Sequence, residues 1–79
     1  MFQGKKYQTA LNPKTSSKTL DKMSKDSSFK IRLFVSCNPN TSTETLDRLS
    51  ENKEDEIRSH VARHPNTSME TLKKLSKDK

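Results

Sequence analysis

His60 and His64 stand four residues apart, a spacing that puts two imidazoles on one side of a helix and could hold a metal ion. A convincing zinc site has more ligands, and no acidic helper or second pair stands nearby at zinc spacing. The pair therefore reads as structural, and no metal is expected. The lone Cys37 excludes an intramolecular disulfide and any zinc site built from paired cysteines. A small thiol in a variable position packs more readily than it attacks. The many Ser and Thr residues lack a His–acid partnership at motif spacing, so nucleophilic catalysis has no constellation to work with. No enzyme, no cofactor and no small-molecule substrate is expected.

The remaining chemistry is cationic. Residues 1–40 carry a net +6, residues 41–58 carry −3 and residues 59–79 carry +3. The basic half holds Lys5, Lys6, Lys14, Lys18, Lys22, Lys25, Lys30 and Arg32. Such a cluster can neutralise phosphates by releasing counterions, which makes nucleic acid the alternative partner. Without stacking aromatics or Gly-rich loops, the plainer reading is a solvated face. Arg32 and Arg58 recur in one position; we read them as arginines that bond exposed carbonyls rather than phosphate.

These side chains are positioned by a sequence that says one thing three times. Pro13, Pro39 and Pro65 are each 26 residues apart, heading "NPKTSSKTLDKMS", "NPNTSTETLDRLS" and "HPNTSMETLKKLS". Across windows beginning at 10, 36 and 62, six of seventeen columns are identical: Pro, Thr, Ser, Thr, Leu and Ser. A fixed period of this size is the signature of a solenoid. Proline ends the preceding helix, because it lacks an N–H and restricts the residue before it. Thr41 with Glu44, and Thr67 with Glu70, then read as capping boxes; Thr15 faces Lys18 instead, so the first copy is expected to fray. Leu46 and Leu49, Leu72 and Leu75, and in the first copy Leu20 and Met23, sit three apart and give each copy an apolar stripe, on A helices expected near 16–24, 42–50 and 68–76. "FKIRLFV" (29–35) aligns with "DEIRSHV" (55–61) as a second set, the B helices, with Asp26 and Asn52 placed to cap them. "GKKYQTAL" is a B-like half-unit before Pro13. The spacing leaves open whether the B units are α or 3₁₀. Each helix is too short to stand alone, so stacking must supply the core.

The repeat, written I-R-x-x-V-A-x-(N/H)-P-N-T-S-x-E-x-L-x-x-L-S, resembles the leucine-rich repeat variant family over about residues 10–78. "HPNTSMETLKKLS" (64–76) carries most of the resemblance. It implies a right-handed superhelix of alternating α and 3₁₀ or short α helices, and a role as an interaction module. Some members of that family carry an iron–sulfur module held by several cysteines; Cys37 alone does not carry that cofactor over. The period here is slightly longer than the family's, and HEAT-like helical pairs are the structural alternative.

The chain has 79 residues, 27% of them hydrophobic and 33% charged, enough for one domain with a small core. Gly4 is its only glycine, a shortage that an all-helical fold tolerates. "MFQGKKYQ" has no apolar core of a secretory signal and no run approaches membrane-spanning length, so a cytoplasmic location is expected. The expectation is thus an all-α, short right-handed helical-repeat solenoid of one domain (1–79), with residues 1–9 as an N-terminal cap or partly ordered. Its expected function is that of an adaptor that binds another protein or a second copy of itself. The candidate contacts are single-copy departures, Phe29, Leu33, Phe34 and Met69, together with Leu72 and Leu75 on the last helix. Phe29, Leu33 and Phe34 have a second reading, as packing for an end cap that includes Phe2 and Tyr7.

Overall fold

The computed structural model describes residues 4–77, which are all-helical: α1 (Gly4–Leu11), α2 (Ser17–Met23), α3 (Phe29–Cys37), α4 (Thr43–Leu49), α5 (Asp55–Arg63) and α6 (Met69–Ser76). The expected A helices are α2, α4 and α6, each starting one residue later than anticipated and ending within a residue of it. The B helices α1, α3 and α5 are α rather than 3₁₀. No strand occurs among the described residues.

α3 lies between α1 and α5, and each later A helix packs against the B helix before it or after it. The described chain measures 37 × 22 × 16 Å. Its core is a thin line of one or two side chains from each of α1 to α5, namely Ala10, Leu20, Ile31, Val35, Leu46, Leu49, Ile57 and Val61, all at 3% exposure or less, while α6 buries only Thr71. Full burial of each larger aliphatic contributes about 1.5–3 kcal/mol, so no single helix holds itself together. Phe29, Leu33, Phe34, Met23 and Leu75 pack against this line while half-buried.

Three terminal details differ from expectation. Thr41 and Thr67 are not N-caps. The caps are Ser16, Ser42 and Ser68, extended residues whose hydroxyls accept the N–H of Thr19, Thr45 and Thr71. The threonines turn the other way: Thr15, Thr41 and Thr67 each donate Oγ1–H, at 2.6 Å, to the carbonyls of Thr9, Val35 and Val61 at the ends of the B helices. One hydroxyl of each Thr-Ser pair thus closes the helix behind and the other opens the helix ahead. Glu44 and Glu70 lie in the first turn, where the helix dipole favours them, without closing a box with threonine.

Asp26 and Asn52 likewise do not cap the B helices. Their side-chain oxygens accept the N–H two residues on, from Ser28 at 2.8 Å and Glu54 at 3.0 Å, forming Asx turns. Ser28 is the N-cap of α3, and Glu54 precedes α5 without a side-chain cap bond. The last invariant serine, at 24, 50 and 76, donates its hydroxyl to the carbonyl three residues back.

Candidate interaction surfaces

Successive copies are joined by polar side chains as well as by the core. Asn38 is 2% exposed and donates Nδ2–H to the carbonyls of Ala10 (2.7 Å) and Asn12 (2.9 Å). One copy later His64 occupies that position, its Nε2 2.7 Å from the Asn38 carbonyl. The Asn66 N–H donates to His64 Nδ1 at 3.0 Å, so Nε2 carries the hydrogen. His64 is a joint between copies, as its place in the repeat suggested, and His60 instead approaches Arg63. Among the described residues, no group of three or more His, Cys, Asp or Glu is gathered to hold a metal ion.

A second joint links the A helices. Thr45 donates its hydroxyl to Asp21 at 2.7 Å and Arg48 pairs with the same carboxylate; Thr71 donates to Asp47 at 2.6 Å and Lys74 lies 3.3 Å from it. These contacts hold both carboxyls below the usual aspartate value, the threonine hydroxyl first and the cation second. Lys74 is raised in turn, by Glu51 and then by Asp47. The sequence reading missed this device. Its trace was the invariant Thr at 19, 45 and 71; for Thr45 and Thr71 the partner lies 24 residues back.

Arg32 and Arg58 are occupied. Arg32 Nη1 donates to the carbonyls of Asp26 (2.8 Å) and Ser27 (3.0 Å), and Arg58 Nη1 to that of Asn52 (2.7 Å). Arg32 Nε is buried without a hydrogen-bond partner. Lys6 pairs with Asp26 at 3.0 Å, and Asp26 is lowered by the Ser28 N–H and then by this lysine. Lys5, Lys14, Lys18, Lys22, Lys25 and Lys30 are all exposed. An open groove of about 590 Å³ runs between Lys25, Arg32 and Lys53, but Asp26 and Glu54 also line it. Its walls are of mixed charge.

Phe29, Leu33 and Phe34 lie together against the core, and Phe34 meets Tyr7 of α1 edge-on, ring centres 5.6 Å apart. That is the geometry of aromatic packing between an end helix and its neighbour. Phe2, the other expected member of this cap, lies outside the described residues. Leu75 also packs on the core, whereas Met69 is 70% and Leu72 36% exposed. Cys37 is exposed beside Pro39, His60 and Arg63 at a shallow depression of about 230 Å³, not packed as its type suggested.

Among the described residues no helix is long and apolar enough to cross a membrane. The chain matches no family model, no curated protein and no solved structure.

Proposed function

We propose that this chain is a non-enzymatic, cytoplasmic interaction module of helical repeats, akin to the leucine-rich repeat variants, that binds a protein partner. The observation that carries this reading is the outer side of α6, where Met69 and Leu72 stand exposed together on one helix, whereas the other exposed large aliphatic, Leu11, stands singly at the end of α1. Exposed apolar side chains grouped on one helix favour association with another apolar surface. Among the other candidate contacts, Phe29, Leu33 and Phe34 have part of their surface free beside the core.

The second reading, a module that contacts nucleic-acid phosphates, rests on the exposed lysines of the first half. It is weakened where Lys6 and Arg32 are already bonded within the chain. Fluorescence anisotropy against short single- and double-stranded DNA and RNA, at roughly 50 and 200 mM salt, separates the two. The adaptor reading expects flat titrations at both salts. Binding that falls steeply with salt, and is lost when Lys14, Lys18 and Lys22 are replaced by Glu, would put the nucleic-acid reading first.

A further inference from the structure

In the second copy, two side chains of α4 grip the copy that follows. Thr43 donates its hydroxyl to the Asn66 carbonyl at 2.7 Å, and Asp47 accepts from Thr71 and Lys74. The same two positions of α6 hold Met69 and Lys73. A thioether does not donate, and an ammonium group does not accept. The side of α6 that corresponds to the gripping side of α4 is therefore apolar where α4 carries a donor and positive where α4 is negative. Leu72 lies beside these two at 36% exposure, while Leu46 in the same position is fully buried. Lys73 and Lys77 are both exposed there. Glu70 is the one carboxylate on the helix and sits a turn before Lys73.

We propose that the face formed by Met69, Leu72 and Lys73 docks an acidic amphipathic helix of a different protein, an inference that rests on the adaptor reading. The charge chooses the occupant. In stack register, a second copy would bring Lys22, the counterpart of Arg48 and Lys74, against Lys73. Pairing α6 with α6 about a two-fold axis through the middle of the helix would set Lys73 against itself. Like charges placed together in this way oppose both forms of self-association. A helix with apolar residues four apart and carboxylates beside them satisfies Met69, Leu72 and Lys73 at once. With eight residues, α6 offers about 12 Å of length, enough to seat roughly two turns of such a partner.

The test uses the full chain and two labelled helical peptides that share one leucine face, one carrying Glu and the other Lys at its polar positions. Anisotropy titration is expected to favour the Glu peptide by about tenfold or more. Lys73→Asp should remove that preference, and Met69→Ser and Leu72→Ser should weaken binding, with helical circular dichroism retained in all three. Sedimentation should show a monomer throughout. Equal binding of the two peptides, or a preference that survives Lys73→Asp, would overturn the inference and leave the adaptor reading standing on its other surfaces. A dimer abolished by Leu72→Ser would assign the face to a second copy and overturn it as well. Salt-steep nucleic-acid binding in the titration above would instead remove the reading on which the inference rests.

Discussion

His64 reaches back 26 residues to the carbonyl of Asn38 at 2.7 Å, from a site only 8% exposed, where the preceding copy uses an asparagine for the same bond. Its other ring nitrogen accepts the N–H of Asn66. Replacing it by alanine strands both groups, at a cost of about 1–3 kcal/mol. His64→Asn should cost much less, because Asn38 already performs the same task one copy earlier. Urea denaturation with an unchanged slope gives the comparison; equal losses in the two variants would mean that the imidazole acts by its volume and not by its bonds.

The Thr-Ser pair divides its labour, and substitution should separate the two halves. Thr41→Val removes a buried bond to the last turn of α3, and Ser42→Ala removes the cap of α4. Each is expected to cost about 1 kcal/mol. Chemical shifts should place the first disturbance at Val35 and the second at Thr45. A Thr41→Val variant that perturbs Thr45 alone would restore threonine as the cap.

Asp21, Asp26 and Asp47 all have carboxyls lowered from an ordinary value of 3.8. A lowered folded value means that the folded state resists protonation. The stabilisation is then present above about pH 4 and is lost as pH falls through each lowered value. Thermal melts from pH 6 down to pH 2 should show this acid limb, and Asp21→Asn should flatten it. The side chains are partly exposed, so added salt should shrink the effect. Lys74 works in the opposite sense: its contribution persists below its ordinary 10.5 and is lost as pH rises beyond it. A melting temperature that is flat from pH 6 to pH 2 would deny the carboxylates any role.

Phe34 packs on the core and on Tyr7, and it also belongs to the candidate binding patch. Phe34→Ala is expected to destabilise the fold by about 2 kcal/mol, below the cost of a fully buried phenylalanine. Phe34→Asp should lower helix content at 25 °C. A Phe34→Asp variant that melts like the parent chain would show that the ring serves a partner and not the end of the stack.

The helices were legible because their signals are local. Proline, the small hydroxyl pair and leucines three apart act within one turn, and α2, α4 and α6 follow from them nearly to the residue. The direction of each hydroxyl was not legible. Thr41 and Ser42 are adjacent and chemically alike, and only the extended backbone of Ser42 and the nearness of the α3 end decide between them. The bonds of Arg32 and Arg58 to loop carbonyls could be anticipated, because an arginine repeated in α3 and α5 serves what those two copies share. The pairing of Asp21 with Thr45 could not, because nothing in either copy alone shows which face meets the next. Of the candidate contacts, the apolar type of Phe29, Leu33 and Phe34 was visible. Their half-burial depends on α1, whose apolar content is too low to announce a packed helix.

Among the described residues, the side-chain bonds between copies span short and similar stretches of chain, from Lys6 to Asp26 at 20 residues to Ala10 and Asn38 at 28. Closing loops of equal size costs nearly equal entropy, so no joint is favoured by its place along the chain. What differs is the number of neighbours: Leu46 is sealed from both sides, whereas Leu72 in the same position is not. The expected kinetic consequence is a nucleus around α3, α4 and α5, with ordering that spreads outward by zippering; substitutions at Leu46 should slow folding, and substitutions at Leu72 should mainly speed unfolding. Contacts that join each helix to its near neighbours in the chain favour fast folding among small domains. Two nearly identical phrases of sequence thereby acquire different moments of assembly.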